Sequence, residues 1–292
     1  MKERFIWVAG ADGMLGSTFC LYLKKKKIKF VSSTVQDVDI CIEDQIDRFV
    51  EGKNLTHIVN CVGYTQVDLA EKEADKAFKV NAKAPAYLAK TAKRKKTRFI
   101  HFSTDYVFDG TKLSSYSEEE TPNPINVYGE SKYQGEKGIL QEFPLACIIR
   151  TSWLFGRGEN NFVAKMLDLI QKKEQLSIVD DQIGRFTYAQ DLVEATLSLL
   201  DQEGIYHFSN EGKASWYDMV IYLYQLMISS SKKITCKEIK PIKTEEYPTP
   251  ARRPNYSILD TLKYEKFAHT KPRTWKSAIN AYLEDRENEK TK

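Results

Sequence analysis

The sequence predicts an α/β fold, a doubly wound parallel sheet with a smaller second lobe interleaved near its C-terminal end. Three observations predict it. The apolar run Phe5–Ala9 passes straight into a turn with Gly10, Gly13 and Gly16 three apart, and an amphipathic segment follows. Apolar runs then alternate with amphipathic stretches through the first half of the chain, the pattern of strands joined by helical crossovers. Polar and glycine residues gather where those runs end, at Gly10, Cys61-Val62-Gly63, Ser103-Thr104 and Arg150-Thr151. Ligands collect at the carboxyl ends of parallel strands.

Each element has its own reason. Phe5–Ala9 is apolar throughout, as a strand buried on both faces must be. Met14–Lys26 reads as the helix that follows it. The glycines between them let the chain turn tightly, let backbone N–H groups approach a pyrophosphate, and let helix and strand pack closely. The helix N-terminus adds a partial positive charge. Lys29–Ser33 is a second strand, Gln45–Glu51 a helix, His57–Val62 a third strand, residues 75–95 one long helix, and Arg98–Ser103 a fourth strand. The lysine clusters Lys24–Lys27 and Lys93–Lys96 fall where predicted helices end. Cations favour helix C-termini, and without interleaved aromatics these clusters read as caps rather than a nucleic-acid surface. Beyond Thr151 the rhythm breaks into short apolar runs and mixed loops, among them Asp180–Thr187 and Tyr247–Asn255, which predicts the second lobe. The stretch Glu284–Lys292 is almost wholly polar and is expected to fray.

At 292 residues, 42% hydrophobic and 29% charged, the chain has the make-up of a soluble globular protein with room for one large domain and a lobe. No apolar run approaches the roughly 18–20 residues of a membrane helix, and the N-terminus has no signal-peptide layout. Cys20, Cys41, Cys61, Cys147 and Cys236 show no C-x-x-C pairing and no histidines at metal spacing, which predicts free thiols in a reducing cytoplasm. No nucleic-acid partner, membrane or metal is expected.

Tyr128 and Lys132 are four apart and share one face of any helix that carries them. A loop with Pro122 and Pro124 precedes them, which suits a helix starting nearby. Lowering a phenol by about three pKa units takes roughly 4 kcal/mol. One ammonium about 4 Å away, at an effective dielectric near 20, supplies an interaction of about that size. The pair is therefore a candidate general acid for a ketone receiving a hydride. Thr104, at the end of strand four, offers a hydroxyl to the same oxygen, or else makes a local turn bond.

Glycine turn, strand-end Ser103-Thr104 and Tyr128-x-x-x-Lys132, in this order, resemble the extended short-chain dehydrogenase/reductases, and so a Rossmann-like sheet. The blocks Asn60–Asp68, Ser103–Gly110, Tyr128–Glu136, Arg150–Trp153, Asp181-Gln182-x-Gly184 and Tyr247–Pro254 resemble the dTDP-4-dehydrorhamnose reductases, over residues 4 to about 260. That resemblance implies NAD(P)H-dependent reduction of the 4-keto group of dTDP-4-dehydro-6-deoxy-L-mannose, giving dTDP-L-rhamnose for a cell-surface polysaccharide. It implies Tyr128 as proton donor, Lys132 on the nicotinamide ribose, and Thr104 on the 4-oxygen with Asp105 beside it. Trp153 would line the sugar pocket, and Arg253 would meet the nucleotide's phosphates or base. Gly10, Ala11, Asp12, Gly13, Met14, Leu15 and Gly16, with Asp39-Ile40 and Val62-Gly63-Tyr64, would line the dinucleotide. The bland readings are Trp153 as core, Arg253 as a surface ion pair and Asp39 as a helix N-cap. Residues 1–152, completed by part of 185–207, would be the cofactor domain, and 153–184 with 208–292 the substrate lobe.

The chain departs from the family pattern at three places. Thr18 stands where some members carry a magnesium-binding glutamate at a dimer interface, so no metal is expected and the chain would be a monomer or weak homodimer. Phe186 replaces a usual proline, and Val62-Gly63 replaces two alanines. Ser32, Ser33 and Thr34 bring no carboxylate to the end of strand two, which leans the cofactor towards NADPH with NADH also accepted. Two alternatives stay open: a non-catalytic regulatory subunit like the β-subunit of methionine adenosyltransferase, and a reductase of another nucleotide-linked 4-keto-6-deoxysugar. A 4,6-dehydratase would need Asp-Glu after the strand-four threonine, whereas Asp105 is followed by Tyr106.

Overall fold

Alternation along a single strand sets the layers. In β1 (Phe5–Ala9), Ile6 and Val8 enter one apolar cluster while Trp7 and Ala9 enter another. Successive side chains of a strand point to opposite faces, so helices cover this sheet on both sides. The computed structural model describes residues 4–158 and 161–290. Its first half runs β1, α1 (Met14–Lys25), β2 (Lys29–Ser33), α2 (Glu43–Val50), β3 (His57–Asn60), α3 (Val67–Ala70), α4 (Ala74–Phe78), α5 (Ala84–Lys95), β4 (Arg98–Thr104), α6 (Val127–Glu142) and β5 (Cys147–Thr151). The second half runs β6 (Leu154–Phe155), α7 (Phe162–Lys172), β7 (Gln175–Val179), β8 (Ile183–Gly184), β9 (Thr187–Tyr188), α8 (Ala189–Leu199) and β10 (Gly204–His207). It closes with β11 (Ala214–Ser215), α9 (Trp216–Ser229), β12 (Glu238–Ile242), α10 (Leu262–Ala268) and α11 (Trp275–Lys290).

Six strands form one parallel sheet in the order β2-β1-β3-β4-β5-β10. The order reverses between β1 and β3, so the segments leaving these strands diverge and open a crevice at their carboxyl ends. One face is filled by Phe19 of α1, Ile149 of β5 and Leu192 of α8, the other by Leu88 of α5, Phe99 of β4 and Ile148 of β5. A third cluster gathers Phe155, Met166, Phe186, Leu223, Trp275 and Ile279 from the second half. Residues 189–207 leave that half to supply α8 and the edge strand β10 to the main sheet.

The structure corrects three expectations. The helix expected over 75–95 is interrupted by a π-helical turn, Lys79–Lys83, between α4 and α5. Pro85 has no N–H to offer the Asn81 carbonyl four residues back, and α6 packs against that oxygen: a Cβ at Gly135 would fall 2.1 Å from it, so the two helices touch backbone to backbone. The third strand stops at Asn60, because the Asn60 side-chain oxygen takes the Val62 N–H and turns the chain out of the ladder. Residues 284–290 continue α11 rather than fray; Trp275, Ile279 and Tyr282 bury its inner face, and the Tyr188 hydroxyl donates to Asp285. Residues 291 and 292 of that stretch lie outside the described residues. Both lysine clusters do end helices, with Lys27 and Lys96 in left-handed conformation at φ 55°. The five cysteines are free, and no helix among the described residues is long and apolar enough to cross a membrane.

Candidate active site

The entry turn of α1 is built from backbone. Gly10 leaves β1 at φ +83°, and a Cβ at Gly16 would lie 2.0 Å from the Gly10 carbonyl oxygen. Any side chain at Gly16 would push the helix off its own turn. Gly13 is the N-cap, with no side-chain cap bond and no acid in the first turn, so the positive end of α1 is left uncompensated. A glycine-walled cradle at such a helix end fits a dinucleotide pyrophosphate.

A cleft of about 1240 Å³ runs from this cradle past Val62, Gly63 and Thr104 to Trp153 and Trp216. Ala11, Asp12, Met14 and Leu15 line it. A second cavity of about 310 Å³ shares Asp12, Gly13 and Val62 with it and continues to Gly10, Ser33, Thr34, Asp39 and Ile40. Asp39 is no helix cap: its carboxylate accepts from the Cys41 N–H at 2.9 Å, and α2 starts from Ile42. Ser33 is committed to Trp7, whose indole N–H donates to it at 2.9 Å. The Asp37 carboxylate accepts from both the N–H and the hydroxyl of Thr34, at 2.8 and 2.9 Å. A negative charge thus stands just past the end of β2, three residues beyond Thr34. Tyr64 is not brought to either cavity. Its ring packs with Ala70 and Ala77, and both its backbone groups bond to the side-chain amide of Asn81.

The polar centre lies where β4 meets α6. Asn126 caps α6 through Gly129 N–H at 2.8 Å, which puts Tyr128 in the first turn and Lys132 one turn on. A Cβ at Gly129 would sit 2.1 Å from the Tyr106 carbonyl oxygen, so the helix start is pressed onto the segment after β4. Tyr128, Thr104, Asp105 and Lys132 all line the cleft. The Thr104 hydroxyl accepts from Tyr106 N–H and donates to Asp105, both at 3.1 Å. It makes the local turn bond and faces the cleft as well.

The expected lowering of Tyr128 is not seen. Burial pushes its phenol up to about 12, with Thr104 offsetting and the Asp105 charge reinforcing the rise. Lys132 does not counter this, because its nitrogen is held elsewhere: Nζ donates to the Phe102 carbonyl at 2.5 Å and stands 3.3 Å from His101 Nε2. Burial lowers Lys132 itself to about 8, with Glu136 pulling the other way. Burial likewise raises Asp105 to about 7, partly offset by bonds from Ser257 and Thr104, and its Oδ2 has no partner among the described residues.

Aromatic rings form the far wall. Trp153 is held at φ 45° and stacks on Trp216 at 3.8 Å between ring centres, with Phe186 edge-on at 4.9 Å. A Cβ at Gly184 would strike the Trp153 indole at 2.6 Å, so the ring is fixed from behind. Trp216 was absent from the sequence reading. Its signal is the capping box Ser215–Asp218 that opens α9 and fixes the ring at the first helical position. Arg253 is not brought to the cleft with the others. Its guanidinium is tied to Asp68 by two bonds of 3.0 and 2.7 Å, and it donates to the Ala251 carbonyl at 3.0 Å. It clamps the segment after β3 to the Tyr247–Pro254 loop, the ion-pair reading of this residue, and it lines a separate cavity with Arg252 and Asp181.

This geometry agrees with what the chain is similar to. The family model described as the RmlD substrate binding domain matches residues 3–288. A dTDP-4-dehydrorhamnose reductase of Aggregatibacter actinomycetemcomitans is 35% identical over 95% of this chain and 98% of its own length. A dTDP-4-keto-6-deoxy-D-glucose reductase of Streptomyces niveus is 33% identical over 96% of each. The crystal structure of a dTDP-4-dehydrorhamnose reductase from Bacillus anthracis in complex with NADP superposes with a TM-score of 0.91, at 33% identity, covering 98% of this chain and all of the other. The chain belongs to the dTDP-4-dehydrorhamnose reductase family.

Proposed function

We propose that this protein is an NADPH-dependent reductase of the 4-keto group of dTDP-4-dehydro-β-L-rhamnose, yielding dTDP-L-rhamnose. The observation that carries this is the meeting of Thr104, Tyr128 and Lys132 in one cleft, between a glycine cradle and an aromatic wall. Bound NADPH would supply a hydride to C4. Tyr128 enters protonated, because burial holds its proton, and gives that proton to the oxygen developing at C4. Thr104 turns its one hydrogen from Asp105 to the same oxygen and so shares its growing charge. Lys132, on the cofactor side, holds the nicotinamide ribose. Asp105, with an uncommitted Oδ2, takes a sugar hydroxyl, and Trp153 with Trp216 offers the sugar ring an apolar face. Residues 1–152 with part of 185–207 act as the cofactor domain, and 153–184 with 208–292 as the substrate lobe. Arg253 acts by holding that lobe through Asp68. Free thiols support a cytoplasmic setting, and we infer a monomer or weak homodimer.

A second reading, reduction of a different 4-keto-6-deoxyhexose, is favoured by the Streptomyces niveus relative and its name. One assay separates the readings. Purified protein is given NADPH and either dTDP-4-keto-L-rhamnose or dTDP-4-keto-6-deoxy-D-glucose, and NADPH loss is followed. The expected outcome is a higher kcat/KM for the rhamnose precursor. Turnover of neither substrate would overturn the reductase reading in favour of a regulatory role.

A further inference from the structure

Behind the cleft runs a buried chain of polar groups, of which the reaction above uses only Lys132. Asn60, His101 and Lys132 are 1%, 0% and 5% exposed. The Asn60 side-chain oxygen lies 3.0 Å from Val62 N, its nitrogen lies 3.0 Å from His101 Nδ1, and His101 Nε2 lies 3.3 Å from Lys132 Nζ. A backbone N–H can only donate, so the Val62 amide fixes which end of Asn60 is the oxygen. The Asn60 NH₂ must then donate to His101 Nδ1, and a neutral imidazole accepting there keeps its hydrogen on Nε2. That hydrogen faces Lys132. An ammonium has no lone pair to receive it, whereas a free amine accepts from Nε2–H and still donates to the Phe102 carbonyl.

We propose that Asn60 and His101 are positioning residues that favour the free amine of Lys132 before cofactor binds, so that cofactor binding takes up one proton from solvent. The inference rests on reading this cleft as the dinucleotide site. The reverse register, an ammonium donating to a bare Nε2, would require Asn60 to turn its NH₂ onto the Val62 N–H. Lys132 protonation is thereby coupled to the loop after β3, which lines the cofactor cleft.

The groups around Lys132 agree with this assignment. From β4 it meets His101, which burial keeps neutral. The segment after β3 brings Gly63, which carries no charge. The π-helical turn brings the uncharged Asn81 near Gly63. Asp105 acts on Tyr128, one helical turn back from Lys132. Glu136, one turn on, favours the ammonium, but both its oxygens are engaged by Arg150 at 2.9 and 2.7 Å. Burial places the Lys132 titration near 8, and the Nε2–H donor acts in the same direction.

The test reads protons directly. In ¹⁵N NMR of the cofactor-free protein, His101 is expected to carry its proton on Nε2; a proton on Nδ1 would overturn the proposal. In Asn60→Asp the carboxylate still accepts from Val62 N–H but draws the imidazole proton to Nδ1, and His101→Phe removes the N–H without adding charge. Both are expected to raise the proton affinity of Lys132 about tenfold or more, read as a shift of at least one pH unit in its NMR titration. An unchanged Lys132 titration in His101→Phe would overturn it too. In the wild type, the Kd for NADPH should rise with pH above about 8, approaching tenfold per unit for one proton taken up. A pH-independent Kd between 7 and 9.5 would refute the uptake. None of these readouts needs turnover, so failure of the sugar assay alone leaves them decisive.

Discussion

The two ends of the cleft are made of different material. At the proposed cofactor end the wall is backbone: Gly10 and Gly16 bring chain segments together at distances no side chain permits. At the proposed sugar end the wall is side chain, with Trp153 against Trp216, and outside the cleft Arg253 clasps Asp68, each pair joining segments far apart in the chain. A backbone cradle is set by a dozen consecutive residues and tolerates few substitutions. A side-chain wall depends on long-range packing and can be altered one contact at a time, which makes it the end where substrate choice can change.

The largest expected effect falls between the ends. Tyr128→Phe removes the transferred proton, so turnover should drop about 10²–10⁴-fold while the Kd for NADPH stays within a few-fold. A variant within threefold of wild type would remove Tyr128 from the reaction. Next is Trp216→Ala, which takes away one face of the Trp153 stack. Large aromatic truncations cost about 3–5 kcal/mol where fully buried, and Trp216 is only partly buried. A rise of about tenfold in KM for the sugar nucleotide, with cofactor binding unchanged, would confirm that the two ends are separable. A parallel loss of NADPH affinity would show that they are not.

The clasp comes third. Arg253→Ala and Asp68→Asn should each raise KM for the sugar nucleotide, and the double variant should do little more than either. Contacting pairs show coupling of about 0.5–3 kcal/mol. Fully additive effects would instead give Arg253 a separate contact with the nucleotide. The smallest effect is at the cofactor end. Asp37 is fully exposed, so Asp37→Asn should shift the NADPH-to-NADH ratio of kcat/KM towards NADPH by only a few-fold, and less at high salt. A shift towards NADH would show that the Asp37 charge does not oppose the 2′-phosphate.

The same contrast explains what was legible. Gly10–Gly16 could be read because turn, cap and helix are neighbours in sequence, and Tyr128 with Lys132 because helical periodicity alone puts them on one face. The sheet followed from alternation. Three things stayed hidden because their causes lie elsewhere in the chain. The close seat of the π-helical turn at Asn81 against α6 depends on Gly135, more than fifty residues later. Trp216 matters only once Trp153 is placed against it. Arg253 looked like a phosphate ligand because its partner, Asp68, is 185 residues away. The lowered phenol was inferred from spacing that sets the Tyr128–Lys132 distance but says nothing of the competing acceptor, the Phe102 carbonyl.

The edge strand β10 carries a consequence for how the chain comes to be. Until residues 204–207 have left the ribosome, β5 presents an unpaired row of backbone groups, flanked by the apolar Cys147–Ile149. Such an edge is a template for pairing with another chain. A fragment ending near residue 152 therefore keeps the cradle, Tyr128 and Lys132 yet leaves β5 as an open edge. Truncation to the apparent cofactor half should yield aggregates rather than a smaller binding module, whereas a cut after residue 207 closes the edge.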